Sequence, residues 1–179
     1  MIRCFAAIDL PEAVRARLSI LSQLLPLPRR LPPENFHLTL AFLGEIPEPV
    51  AEEAHLAFAS IRAEPFRLAL RGIGIFGGGR PRVAYAGVAS APLLDRLQAK
   101  VEEAARRAGA PVEARRFVPH VTLARFRPGE VEAPRLEHAI LSVGTFSTEP
   151  FPVESFAFYR SHLGHGGAHY EELARYPLG

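Results

Sequence analysis

The chain has 179 residues, 48% of them hydrophobic, and a mild formal net charge of +2, enough apolar material to bury a good core as one domain or as two small lobes. No apolar run approaches membrane-spanning length, the opening stretch Met1–Asp9 is too short for a secretory leader, and one cysteine, Cys4, excludes an internal disulfide framework, so a cytoplasmic protein is expected. Lys100 is the only lysine among 21 basic residues; arginine's planar fork suits phosphate and is no nucleophile, although a GC-rich or heat-adapted source accounts for the same bias.

Residues 2–9 read as a strand, and Pro11 to Leu25 as a helix with apolar positions 14, 18, 21 and 25 on one face. Pro26 and Pro28 stop it. A proline-rich connection leads into Phe36-His37-Leu38-Thr39-Leu40, a strand, followed by Gly44 and a helix from Pro47 to Ile61. Phe66 to Leu70 alternates as a strand, Gly77-Gly78-Gly79 turns, and Arg82 to Val88 reads as the returning strand of a long-looped hairpin. A helix from Pro92 to Gly109 precedes Pro119-His120-Val121-Thr122-Leu123, a second strand of the same pattern. A weaker helix near Pro134–Leu141 and strands near Phe151–Arg160 and His169–Arg175 complete the chain.

The second half mirrors the first. Pro11 to Pro92, His37 to His120, and Phe66-Arg67-Leu68 to Phe151-Pro152-Val153 are separated by 81, 83 and 85 residues. A near-constant separation across helix, strand and hairpin is what an internal duplication leaves, and it sets the two His/Thr pairs at equivalent places in two lobes. In an extended strand His37 and Thr39 share one face while Leu38 and Leu40 share the other; His120 and Thr122 stand likewise against Val121 and Leu123. The apolar faces pack, leaving two imidazoles and two hydroxyls to converge on one cleft.

A pair of histidines moves protons near neutral pH, one neutral to activate a nucleophile and one charged to protonate a leaving group. Threonine hydroxyls hydrogen-bond phosphoryl oxygens. Which copy is acid and which base, a duplicated motif does not say. Arg125 is the candidate cation, five residues beyond His120. Strict alternation puts it on the face of Leu123, away from the histidine, unless a bulge or the strand end re-aims it.

Other motifs are set aside on chemistry. Gly72-Ile73-Gly74-Ile75-Phe76-Gly77 matches G-x-G-x-x-G, but a strand follows it and not the helix that dinucleotide binding requires. His162, His165 and His169 lie among Gly164, Gly166 and Gly167, which reads as a flexible surface loop without the remaining ligands of a zinc site. No G-K-[ST] phosphate loop is present, and Lys100 lies on a polar helix face beside Glu102 and Glu103, which speaks against ATP-dependent lysyl chemistry.

With both H-x-T-L segments in place, the sequence resembles the 2H phosphoesterase superfamily, and within it the bacterial and archaeal RNA 2',3'-cyclic phosphodiesterases, also called 2'-5' RNA ligases. The resemblance runs over nearly the whole chain: Phe5-Ala6-Ala7-Ile8-Asp9-Leu10-Pro11, Pro33 to Gly44, Gly74-Ile75-Phe76, Arg80-Pro81-Arg82-Val83, and Pro119 to Arg125. It implies an α/β (α+β) fold, bilobal and pseudo-twofold, with two antiparallel sheets flanking a central cleft and helices outside, residues 1–179 forming one bilobal domain. It further implies metal-independent opening of RNA 2',3'-cyclic phosphate ends to 2'-phosphates, with ATP-independent 2'-5' ligation as the reverse type of attack, and no cofactor. Carried over by position, His37 is the proton donor to the leaving 3'-oxygen and His120 the proton acceptor that activates water. Thr39 and Thr122 hold phosphoryl oxygens and Arg125 assists. RNA is the expected partner, no membrane is involved, and a monomer is expected. Arg80 and Arg82, and an aromatic among Phe42, Phe76 and Tyr159, are candidates for holding the substrate; Ser161 stands near a serine that the family often has in its last hairpin. Two alternatives stay open: a non-catalytic module that binds RNA ends, and a phosphodiesterase for a small cyclic phosphate that is not RNA.

Overall fold

A computed structural model describes all residues 1–179. Its elements, in order, are β1 (Ile2–Asp9), α1 (Glu12–Leu24), a short 3-10 turn (Pro33–Asn35), β2 (His37–Ile46), α2 (Glu48–Ala59), β3 (Phe66–Leu68) and β4 (Leu70–Phe76). There follow β5 (Val83–Val88), α3 (Pro92–Arg107), β6 (His120–Arg125), α4 (Ala133–Val143), β7 (Phe151–Val153), β8 (Ser155–Gly164) and β9 (Gly167–Pro177). Helix starts are written in proline: Pro11 and Pro47 precede α1 and α2, while Pro92 and Pro134 lie in the first turns of α3 and α4, where a fixed φ suits the helix and no N–H is missed. No helix is long and apolar enough to cross a membrane.

The fold is α+β with two antiparallel sheets, one of seven strands in the order β4-β5-β6-β2-β1-β8-β9 and one of two, β3-β7. Without β9 the large sheet reads as a palindrome. If β1 corresponds to β5, β2 to β6 and β4 to β8, each half lends its last long strand to the other, so β4 pairs with β5 while β8 pairs with β1. The halves meet at Leu38↔Val121, the one paired position between β2 and β6, and again at Arg67↔Pro152 between β3 and β7. These partners are the residues that separations of 83 and 85 make equivalent, so the pseudo-twofold axis passes through both contacts. The two halves are therefore joined in one sheet through a single paired position between β2 and β6. A continuous cluster of 42 buried residues runs beneath both halves.

Three local departures from the sequence expectation have physical causes. The stretch 66–70 is not one strand: it breaks at Ala69, β3 leaves to pair β7, and β4 is the true hairpin partner of β5. The G-x-G-x-x-G segment is that hairpin strand. Gly72 takes φ +79 at a register shift, and Gly77 takes φ +107 in the turn, two conformations costly for any other residue. The histidine tract 162–169 is not a flexible loop but the end of the β8–β9 ladder, paired through to Gly164↔Gly167, with His162 Nε2 2.7 Å from Glu171 Oε2. No three His, Cys, Asp or Glu side chains group there to hold a metal ion.

The feature that matters most for the cleft is a matched pair of β-bulges. Ala6 pairs Ala41 and Ala7 pairs Thr39, so Leu40 is an extra residue; Ala84 pairs Ala124 and Tyr85 pairs Thr122, so Leu123 is its equivalent. Bulged carbonyls need partners once buried. Leu40 O accepts from Gln98 Nε2 of α3 at 3.2 Å, and Leu123 O accepts from the Leu31 N–H at 2.8 Å. Past each bulge the alternation is reversed, which turns Phe42 and Arg125 onto the face of the histidines.

Candidate active site

His37 opens β2 directly after the 3-10 turn, and its Nδ1 lies 2.7 Å from the main-chain oxygen of Asn35. A carbonyl only accepts, so Nδ1 carries the hydrogen and Nε2 is left as the working nitrogen. His120 repeats the arrangement, with Nδ1 2.7 Å from Val118 O. Asn35 and Val118 are themselves 83 residues apart. Extending the register set by Leu38↔Val121, His37 falls opposite Thr122 and Thr39 opposite His120.

Each imidazole is held by aromatic rings. Phe5 stacks on His37 at 4.8 Å and Tyr170 meets it edge-on at 5.2 Å; Tyr159 in turn stacks on Phe5 at 5.3 Å. Phe76 and Tyr85 present edges to His120 at 5.0 and 5.5 Å and stack on each other at 4.3 Å. Fixed rings leave the two Nε2 atoms little freedom, which is what in-line proton transfer needs.

Burial pushes the His37 imidazole down to about 4; the hydrogen bond to Asn35 opposes this, and the charges of Arg125 and His120 add to it. His120 is lowered too, by burial first and by Arg125, against its bond to Val118. Both rings are thus neutral at pH 7 in the free protein. The register shift at Leu123 puts Arg125 on the face of the histidines, and its charge acts on both imidazoles and on Tyr170.

The other sequence candidates distribute unevenly. Phe76 and Tyr159 belong to the aromatic brackets described above. Phe42 is 46% exposed, with the Arg3 guanidinium 4.8 Å over its ring. Arg80 lies in the β4–β5 turn, the main-chain oxygen of Arg82 accepts from the Phe126 N–H, and Ser161 pairs with Tyr170 in the β8–β9 ladder. Sequence reasoning missed Phe5, Tyr85, Tyr170 and Asn35. Phe5 and Tyr85 sit on strands that pair with the His/Thr strands and were discoverable as their cleft-face neighbours; Tyr170 lies outside the duplication and leaves no such signal.

Gly74 has a definite job here, because a Cβ at that position falls 2.2 Å from Tyr85 Cζ. Gly74→Ala must displace the ring that brackets His120. A fall in melting temperature of about 3–8 °C is expected by calorimetry, whereas Gly79→Ala, which meets nothing within 4 Å, leaves it unchanged. Equal melting temperatures for the two variants contradict the packing of Tyr85 over Gly74.

The family model described as the 2'-5' RNA ligase superfamily matches residues 10–165. A protein of Aeropyrum pernix named RNA 2',3'-cyclic phosphodiesterase is 41% identical over 142 residues, covering 78% of this chain and 80% of that one. Its namesake in Thermus thermophilus is 37% identical over 188 residues, covering 98% of this chain and 90% of the relative. Among solved structures, E. coli LigT complexed with 3'-AMP superimposes with a TM-score of 0.82 at 30% identity, covering 99% of this chain and 98% of that one.

Proposed function

The chain belongs to the 2'-5' RNA ligase superfamily, and from that premise we propose that its cleft opens RNA 2',3'-cyclic phosphate ends to 2'-phosphates by paired-histidine acid–base chemistry. It is an RNA 2',3'-cyclic phosphodiesterase, as its relatives are named. Water attacks phosphorus opposite the 3'-oxygen; the new P–O bond forms as the P–O3' bond breaks. His120 Nε2 takes the proton of the attacking water and His37 Nε2 gives one to the departing 3'-oxygen, leaving a 3'-hydroxyl and a 2'-phosphate. Thr39 and Thr122 donate hydroxyl hydrogens to the two non-bridging oxygens, and the Arg125 guanidinium balances the charge that builds on them. Attack by a 5'-hydroxyl in place of water gives a 2'-5' linkage by the same proton movements, with no nucleotide triphosphate.

The observation that carries this reading is the pair of equivalent imidazoles, each with Nδ1 tied to a carbonyl two residues back and Nε2 left free, and near enough that the charge of His120 acts on His37. Both rings are neutral when free, so the donor acquires its proton as the anionic cyclic phosphate arrives and favours the charged ring. In this reading residues 1–179 act as one bilobal unit, monomeric and cytoplasmic, a setting that suits the single buried thiol of Cys4.

The test is a short RNA ending in a 2',3'-cyclic phosphate, incubated with the protein in EDTA and resolved against 2'- and 3'-phosphate standards. Turnover to the 2'-phosphate is expected. A 3'-phosphate product contradicts the roles given to the histidines, and binding without turnover leaves only an RNA-end binding module.

A further inference from the structure

The duplication gives the two histidines equivalent places, yet acid and base need unequal ones. The one strand that the duplication does not supply is β9, which adds to the outer edge of β8 and has no counterpart beyond β4. It reaches the surroundings of His37 at three points, one of them the 2.9 Å ion pair of Arg175 with Asp9, the register partner of His37. Tyr170 sets its ring edge-on to His37, and Ala168 O accepts a 2.9 Å hydrogen bond from Asn35 Nδ2.

Asn35, the only asparagine in the chain, is 6% exposed and so uses both ends of its residue in the interior. Its main-chain oxygen takes the His37 Nδ1 hydrogen and its side-chain amide grips β9. The equivalent position beside His120 is Val118, 41% exposed, with the same carbonyl and no amide. We propose that Asn35 is a positioning residue that makes the two equivalent histidines unequal, its amide latching β9 to the turn that orients His37 and so holding Tyr170 against that imidazole alone. This rests on the acid–base reading given above and deepens it: the latch fixes the ring that must meet the departing 3'-oxygen, at the expense of its ease of protonation in the free protein, while His120 has no such tie.

Other groups facing His37 are common to both rings or fixed elsewhere. Arg125 and His120 approach from β6, Phe5 stacks from β1, and Asp9, its register partner on β1, is engaged by Arg175 at 2.9 Å. Arg125 acts on both histidines, so it does not distinguish them. Tyr170 is the neighbour that β9 gives to one ring only.

Any side-chain replacement at Asn35 keeps its carbonyl, so Asn35→Ala removes the latch without touching the bond that sets the tautomer. Histidine titrations followed by NMR in substrate-free protein are expected to show the His37 midpoint moving up toward that of His120 by about one pH unit, with His120 unmoved. Steady-state turnover of the cyclic-phosphate RNA is expected to lose about tenfold in kcat with KM within twofold. Asn35→Leu, which is close in size and cannot donate, behaves like alanine. Tyr170→Ala raises the His37 midpoint in the same way, and so tests the idea through a second variant should Asn35→Ala fold poorly. An unmoved His37 midpoint in both variants, or both histidines moving together, overturns the latch, as does a loss of kcat with no change in titration. The titration needs no turnover, so a latch that holds in a protein inactive on this RNA rejects the functional reading alone.

Discussion

His37→Ala and His120→Ala are each expected to slow opening of an RNA 2',3'-cyclic phosphate by about 10²–10⁴-fold, with the melting temperature retained to within a few degrees. The double variant should be little worse than either single one, because acid and base act on one transition state and each is nearly useless without the other. The wild-type rate should be unaffected by EDTA, since the donor, the acceptor and the balancing cation are all side chains of this protein in the mechanism given. The two single variants nevertheless differ in a way that assigns the roles. A substrate carrying sulfur in place of the bridging 3'-oxygen leaves as a weakly basic thiolate and needs no proton from the enzyme. On that substrate His37→Ala should recover most of the lost rate, while His120→Ala stays slow because water still has to be deprotonated. Recovery in His120→Ala instead reverses the assignment; recovery in neither removes proton donation from the slow step.

The duplication was the part of this design most legible in the sequence, and the reason is geometric. Residues on a pseudo-twofold axis pair with their own equivalents, so Leu38↔Val121 and Arg67↔Pro152 are the spatial form of separations visible along the chain. Helices were legible because their prolines and apolar faces are local signals. The bulges at Leu40 and Leu123 were not, because nothing local marks an extra residue in a strand of small and branched apolar side chains. What stabilises the first is Gln98, which meets the Leu40 carbonyl from 58 residues away. Strand β9 was placed in the sequence as a strand, but its part in the site was not legible: Tyr170 acts through a ladder outside the repeat, and Asn35 looks like an ordinary polar residue in a proline-rich turn. The site residues read from the motif are those whose partners are near in sequence or repeated; the residues that condition them are held by contacts across the fold.

Arg125→Ala is expected to cost about 10²–10³-fold in kcat/KM, the loss that follows removal of one charge-stabilising donor from a preorganised site. Its place in the cleft depends on the bulge: without the extra residue Leu123, Arg125 would share the buried face of that leucine, where an unpaired guanidinium is not tolerated. Arg125→Lys keeps the charge but loses the fork and should recover only part of the rate. A second effect separates Arg125 from a residue that merely binds RNA. Its positive charge lowers both His37 and His120, so its removal must let both rings hold protons more readily, and both NMR titration midpoints should move up. The sign is fixed, since withdrawing a cation always favours the charged form of a neighbouring imidazole. If kcat/KM falls while neither midpoint moves, the guanidinium acts on the substrate from outside the histidine cleft, and the bulge has not delivered it to the phosphate.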